Sequence, residues 1–133
     1  MLIANESKEI LYLSRCFVGK THDYSMFKEE FPPKIDWFAN FTLRVDLGYL
    51  GIEKDYTCKE IIIPKKRAKK KELSDDDRLN NKLKAKERIT VEHSICGMKR
   101  YRILSDTLRI HDFYYYNDIL EVCAGLWNFY LKN

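Results

Sequence analysis

The longest helical pattern in the chain begins after Ser74, and it constrains the rest of the fold most. Ser74 and the acid three positions later, Asp77, resemble a capping box, which marks the start of a helix. The pattern continues to about Leu104, with Gly97 as its one weak point. Strands before this helix and another helix after it predict α/β or α+β layering.

Short strands and one helix are predicted for the N-terminal half. Met1–Ala4 and residues 9–18 are rich in β-forming residues and are separated by a turn, which favours a hairpin. Asp23 is positioned to cap a helix that runs through about Phe31, because Pro32-Pro33 ends it there.

Two further strands precede the long helix. The apolar and aromatic stretch Ile35–Val45 stops abruptly at Asp46, which predicts a buried strand with an acid at its C-terminal edge. Glu60–Pro64 is a short apolar strand stopped by proline. The last helix is predicted from about Asn117 to Leu131, and the preceding tyrosines, 114–116, are expected in the core rather than stacked on bases.

Composition indicates one globular domain, residues 1–133. Of the residues, 45% are hydrophobic and 33% charged, which excludes a disordered chain. The net charge is only +4, but nine of the 24 basic residues lie between Lys65 and Lys84, so a basic loop is assigned to residues 65–73. No apolar run is long enough for a membrane helix, and no signal peptide is evident, so we expect a cytoplasmic protein.

Four widely spaced cysteines suggest neither a zinc site nor a disulfide framework. No C-x-x-C pair or histidine cluster accompanies them. We therefore expect reduced, mostly buried thiols at Cys16, Cys58, Cys96 and Cys123.

Several residues have two alternative interpretations, one as part of a functional site and one as ordinary structural residues. On a helix, Glu92 lies about 40° from Arg88 and about 20° from Lys99, so one face presents a carboxylate between two cations. That arrangement suits a metal beside phosphate, but it also suits an ordinary solvated face with ion pairs. Asp46 is either a ligand at a sheet edge or a turn residue. For the pair His22-Asp23, helix capping by Asp23 with a structural hydrogen bond by His22 is favoured over ligation or acid/base work.

The basic run Lys65–Lys71 has two readings as well. It is either a segment that binds along a nucleic-acid backbone or a solvated flexible loop.

Five segments, in order, resemble the DDE transposases of bacterial insertion sequences and their Harbinger-like relatives. They are Gly19-Lys20-Thr21-His22-Asp23 with Phe27, Asp46-Leu47-Gly48-Tyr49, Ile63-Pro64-Lys65-Lys66, the helix Glu87-Arg88 to Tyr101, and Ala124-Gly125-Leu126-Trp127-Asn128. The helix is also similar to a Tyr-x2-Arg-x3-Glu-x6-Lys signature, with Ala85 in place of the tyrosine.

The resemblance implies an RNase H-like mixed sheet with flanking helices and DNA transposition as the function. It implies that Asp46 and Glu92 are the second and third metal-binding acids, holding Mg²⁺ or Mn²⁺, and that Asp23 and His22 support them. Contacts to DNA phosphates would come from Arg88, Lys99, Lys65, Lys66, Arg67, Lys69 and Lys70.

The resemblance assigns no residue of this chain to the family's first acid. The chain starts inside what resembles the family's second strand, so we expect a catalytic domain without its first strand. Its partners would be DNA, an upstream transposase product that carries the first acid, and a second copy in an active homodimer in the bacterial cytoplasm. The alternatives are an inactive remnant and a small DNA-binding or protein-binding module.

Overall fold

A computed structural model describes residues 1–17, 19–67, 72–106 and 112–133. Strands and helices are mixed along the chain, as the α/β prediction requires. The elements are β1 Leu2–Ala4, β2 Ile10–Leu13, α1 Asp23–Glu30, β3 Thr42–Arg44, a 3₁₀ turn Leu47–Tyr49, α2 Ile52–Asp55, β4 Glu60–Ile62, α3 Asp75–Met98, α4 Arg102–Ser105 and α5 Phe113–Lys132.

The residues group into two compact units. The first unit comprises Met1–Val18 and Ile89–Asn133, and the second comprises Gly19–Arg88. Among the described residues the strands form two separate two-stranded sheets, β1-β2 and β3-β4. The predicted single mixed sheet is not seen in these residues. Whether residues 1–133 act as a single domain stays a prediction.

No helix within the described ranges combines the length and the apolar character that crossing a membrane requires.

The first unit contains the predicted hairpin. Strands β1 and β2 pair antiparallel, with Leu2 opposite Leu13 and Ile3 opposite Tyr12, and the register shifts after Ile3. In the connecting turn Lys8 adopts a left-handed backbone with a φ of 68°. The predicted hairpin and its turn are therefore confirmed, but the second strand, Ile10–Leu13, is shorter than the predicted residues 9–18.

Helix α5 joins the hairpin through its polar side chains as well as its apolar ones. The amide of Asn128 accepts a hydrogen bond from the Ile10 nitrogen and donates one to the Ile10 oxygen, both at 2.8 Å. Trp127 donates from Nε1 to the Lys8 oxygen at 2.9 Å. The buried core of this unit is Ile10, Met98, Cys123, Ala124 and Trp127.

Gly97 lets α3 approach Trp127 closely. A Cβ atom at Gly97 would lie 2.3 Å from Cε3 of the indole ring, which is far inside van der Waals contact. Trp127 is buried and its indole nitrogen is hydrogen-bonded, so the ring cannot easily move aside. The glycine that weakens the helix in the sequence is therefore required by the packing of α3.

The second unit has an aromatic core. Phe27 of α1 packs against Phe31, Phe38 and Tyr56, with ring centroids 5.1 to 5.4 Å apart. The Tyr56 hydroxyl donates to the Phe31 oxygen. Ile52 is fully buried in the same unit.

The predicted strand Ile35–Val45 was mostly wrong. Only Thr42–Arg44 pairs as a strand, and turns precede it. Trp37 donates from its indole nitrogen to the Pro32 oxygen, and Phe38 is buried in the aromatic core. Phe38 therefore enters the core from a looping backbone, while Ile35 and Phe41 stay exposed.

Three details at the C-terminal end also differ from prediction. Helix α3 ends at Met98, and α4 is a separate short helix, so the predicted continuation to Leu104 was wrong. Helix α5 starts at Phe113, one turn early, because Asp112 accepts a capping hydrogen bond from the Tyr114 nitrogen. Tyr114 is 84% and Tyr115 53% exposed, so the expectation that tyrosines 114–116 lie in the core was wrong for these two.

The four cysteines are free, but only Cys123 is buried, so the expectation of mostly buried thiols was wrong.

Replacement of Gly97 by alanine should destabilise the protein, because the new methyl group meets the Trp127 ring. Overpacking of this kind typically lowers the free energy of unfolding by about 1–3 kcal/mol. Urea denaturation followed by circular dichroism measures the change.

Gly125→Ala is the matched control. Gly125 lies in α5, and a Cβ there meets nothing within 4 Å. Its replacement should be neutral, or stabilising by up to about 1 kcal/mol through helix propensity. Equal losses in the two variants would show that contact with Trp127 is not what requires Gly97.

Candidate functional site

Strands β3 and β4 pair in parallel, so their carboxyl ends share one edge. Thr42 lies opposite Glu60 and Arg44 opposite Ile62. The Val45 nitrogen extends the pairing by donating to the Ile62 oxygen at 3.1 Å. Open α/β sheets bind their ligands at this edge.

Asp46 lies at this edge and is held by its own turn. Its backbone is extended, and its Oδ1 accepts a hydrogen bond from the Gly48 nitrogen at 2.8 Å, so it caps the 3₁₀ turn. Its Oδ2 lies 3.5 Å from Nη1 of Arg88. Both side chains are 42% exposed. The carboxylate is therefore oriented by the turn and paired with a cation while it stays open to solvent.

Asp23 approaches the same turn. A Cβ built at Gly48 would lie 2.9 Å from Oδ1 of Asp46 and 3.6 Å from Oδ2 of Asp23. The two carboxylates therefore flank Gly48, and any side chain at that position would meet one or both. The structure brings Asp23 beside Asp46, although the chain separates them by 22 residues.

The pKa of Tyr49 responds to both carboxylates. Burial of its phenol, together with the smaller effect of the negative charges of Asp23 and Asp46, raises the pKa of Tyr49 to about 12. The neutral phenol is favoured in the folded state. The contribution of Tyr49 to the free energy of unfolding is therefore fully present below the unfolded tyrosine pKa of about 10, and it is lost as the pH rises through about 12.

His22, not Asp23, caps helix α1. Its Nδ1 accepts a hydrogen bond from the Tyr24 nitrogen at 3.3 Å, and its backbone is extended. Asp23 is the first residue of the helix. The predicted capping role of Asp23 was wrong, and the predicted structural hydrogen bond of His22 is confirmed.

One face of α3 holds the segment that follows β4. Asn81 accepts a hydrogen bond from the Lys65 nitrogen at 2.8 Å and donates one to the Lys65 oxygen at 3.0 Å. Lys84 donates to the Ile63 oxygen at 2.9 Å. Asp77 pairs with the Lys65 ammonium at 2.8 Å. Spacings of four and three residues put these side chains and Arg88 on a single helical face.

An open pocket of about 270 Å³ lies between this helical face and the sheet edge. The strand ends and the 3₁₀ turn line it on one side, with Asp46 among their residues. Helix α3 lines the other side with Asn81, Lys84, Ala85 and Arg88. The described part of the second unit therefore combines a carboxylate, three cations with Arg44 included, and a cavity.

Glu92 and Lys99 belong to the first unit. Glu92 is an exposed residue of α3, one turn after Arg88. Lys99 follows the last residue of α3, and its nitrogen still donates to the Ile95 oxygen at 3.0 Å. Their roles in a site with Asp46 stay predictions.

The basic run is described only in part. Lys65 is anchored through its backbone and its ammonium group, whereas Lys66 and Arg67 are exposed. Lys69 and Lys70 lie outside the described residues.

The described residues do not assemble a complete metal site of their own. They contain no group of three or more His, Cys, Asp or Glu side chains placed to hold a metal ion. Asp46 and Asp23 offer hard carboxylate oxygens beside Gly48, which suit Mg²⁺ or Mn²⁺ as two ligands of a larger set. Whether these carboxylates belong to the ligand set that the resemblance implies stays a prediction.

Sequence reasoning missed Asn81, Lys84 and Tyr49. Asparagine is unfavourable inside a helix, so Asn81 in the middle of α3 is a signal for a tertiary hydrogen bond. Lys84 is one of many lysines in its segment, and nothing in the sequence distinguishes it.

Asp23→Asn and Asp46→Asn should each lower the pKa of Tyr49 while leaving it above 10, because burial remains. Titration of the tyrosine ring carbons by NMR measures this. Asp55→Asn is the control, since Asp55 accepts a hydrogen bond from Tyr24 and raises the pKa of that residue instead. An unchanged Tyr49 pKa in both site variants would contradict the placement of two carboxylates around Gly48.

Comparison with known proteins identifies the family of the chain. Residues 1–128 match the DDE superfamily endonuclease family, and these enzymes generally depend on divalent metals and act on DNA. No curated protein and no solved structure matches the chain. Because the match covers nearly all of its length, the chain belongs to the DDE superfamily endonuclease family.

Proposed function

We propose that this chain forms part of the catalytic domain of a bacterial insertion-sequence transposase, which cleaves and joins DNA strands with Mg²⁺ or Mn²⁺. Asp46 serves as the second acid and Glu92 as the third, in a domain with an RNase H-like sheet. Asp23 and His22 support Asp46, while Arg88 and Lys99 contact DNA phosphates. The active enzyme is a homodimer in the bacterial cytoplasm.

The geometry of Asp46 carries this proposal. Its carboxylate stands at the shared carboxyl edge of β3 and β4, with one oxygen fixed by Gly48 and the other beside Arg88. A metal ligand in a phosphoryl-transfer site needs this combination of fixed orientation and solvent access. Membership in a family of DNA endonucleases gives the substrate class.

Glu92 is supported by its position on α3. The helix that bears Arg88, beside Asp46, carries Glu92 one turn further along. An acid and a cation one turn apart on α3, with Lys99 just after its end, suit a metal beside a phosphodiester.

Two acids alone do not complete the three-acid site that the resemblance implies. We therefore infer that the family's first acid lies outside these 133 residues. We derive no chemical step through the metal from this chain's residues alone.

The chain by itself should not nick supercoiled plasmid DNA in Mg²⁺, because its metal site lacks a ligand. Nicking should appear when a polypeptide with the family's first acid is added. Asp46→Asn and Glu92→Gln should each abolish that activity, as measured by conversion of supercoiled to open-circular plasmid.

Asp76→Asn provides the control. Asp76 is an exposed acid in the first turn of α3, and its substitution removes one negative charge, as the two site substitutions do. It should retain nicking. Robust nicking by the unaided chain that disappears in Glu92→Ala would overturn the proposal that the first acid lies outside these residues.

The alternative function is metal-independent DNA binding, which the exposure of Lys66 and Arg67 favours. Each phosphate contact makes the slope of the logarithm of the DNA-binding constant against the logarithm of the salt concentration steeper by about 0.9. The double variant Lys66→Ala/Arg67→Ala should therefore reduce the slope by roughly 2, as measured by fluorescence anisotropy with a DNA duplex in EDTA.

Lys54→Ala/Lys59→Ala removes two exposed lysines elsewhere in the second unit and serves as the control. Its slope should stay close to that of the unaltered chain. Identical slopes in all three proteins would exclude the basic segment from the DNA interface.

A further inference from the structure

We propose that the pocket at the carboxyl edge of β3 and β4 binds one nucleotide of the DNA substrate. The phosphate lies at the cationic rim, and the base and sugar lie against the apolar walls. The choice of DNA as the source of the nucleotide rests on the proposed function, whereas the pocket itself rests on the described residues of the second unit.

The size of the pocket limits its occupant. Its volume of about 270 Å³ lies at the small end of the range for ligand sites, which begins at about 300 Å³. A single nucleoside-sized group fits such a space, and a dinucleotide cofactor does not. The pocket is open, so a nucleotide within a longer strand can enter without a free end.

The walls are suited to a flat apolar group. Val45 and Leu47 line the side that follows β3, and Ile62 and Pro64 line the side that follows β4. Ala85 lines the helical side. Aliphatic side chains around a space of this size favour a base or a sugar over a hydrated ion.

Cations surround the same space. Arg44, Lys84 and Arg88 all line the pocket, against the single negative charge of Asp46. Arg88 lies 3.5 Å from Asp46 and offsets that charge. The balance favours an anion linked to an apolar group over a free anion, because the carboxylate opposes the phosphate and the walls must supply the remaining affinity.

Hydrogen bonds hold the helical wall in place before any ligand binds. Asn81 brackets the Lys65 backbone, and Lys84 is tied to the Ile63 oxygen. The wall and the strand end it faces are thus fixed to each other. A preformed pocket loses less entropy when it binds a ligand.

Ala85 keeps the pocket open. It is the smallest side chain on the helical wall, and it stands where the insertion-sequence signature similar to this helix has tyrosine. A large ring at this position would occupy the space that we assign to the base. This makes Ala85 the position at which to test the proposal.

The test is a titration of the full 133-residue chain with thymidine 5′-monophosphate in EDTA, followed by amide NMR shifts. We expect saturable shifts at Gly48 and Ala85, with weaker binding of thymidine and of inorganic phosphate. Ala85→Tyr should weaken nucleotide binding by at least about tenfold, which corresponds to about 1.4 kcal/mol. Ala85→Met fills the pocket with a flexible side chain and should weaken it as well.

Leu83→Tyr is the matched control. Leu83 is an exposed α3 residue that does not line the pocket, so its variant should bind the nucleotide as the unaltered chain does. Inorganic phosphate that binds as tightly as the nucleotide would overturn the proposal, and so would absence of saturable shifts or equal affinity in Ala85→Tyr. Circular dichroism checks that each variant is folded.

Failure here and failure of the proposed function are distinguishable. The titration needs neither metal nor catalysis, so nucleotide binding can be lost while the complemented nicking assay still depends on Asp46 and Glu92. Conversely, nucleotide binding that depends on Ala85 would stand even if no complementing polypeptide produced nicking.

Discussion

The two hydrogen bonds between the Asn81 amide and the Lys65 backbone are the interaction on which the site depends. Strands β3 and β4 pair over only three residues each, too few to position a site by themselves. Asn81 satisfies both backbone polar groups of Lys65 just beyond β4, and so joins the strand end to α3. Lys84 and Arg88 then reach Ile63 and Asp46 from the same helical face. The pocket exists because this face is held against the strand ends.

The first unit contains the same kind of hydrogen-bonded amide. Asn128 of α5 brackets the nitrogen and oxygen of Ile10, much as Asn81 brackets those of Lys65. In both units a helical amide accepts a hydrogen bond from the backbone nitrogen of one residue and donates one to its oxygen, as a neighbouring strand would. Trp127 adds a bond to Lys8 and lies over Gly97, so a glycine and an asparagine of two family-like segments both serve packing. Resemblance at a position therefore does not by itself indicate chemistry.

The sequence predicted the elements well and their bounds less well. The hairpin, α1, β4, α3 and α5 follow from periodicity, proline breaks and capping residues, all of which act locally. Ile35–Val45 was mistaken for a strand because an apolar run is equally compatible with a loop that covers an aromatic core, as Phe38 does. Asp46 at a sheet edge was predictable from the abrupt end of that run. The approach of Asp23 to Gly48 and the amide bracket of Asn81 were not, because each joins residues whose meeting depends on tertiary structure.

The pairing of Arg88 with Asp46 is suited to a residue that changes partners. Its 3.5 Å separation is long for a charge-assisted hydrogen bond, and both groups are 42% exposed. Ion pairs of this kind contribute only about 0–1 kcal/mol, because solvent screens them. Loss of this one ion pair therefore costs little, whereas the Gly48 hydrogen bond keeps Asp46 oriented with or without it. A strong buried pair at this position would hold Arg88 on Asp46 and close the cationic rim to a nucleotide.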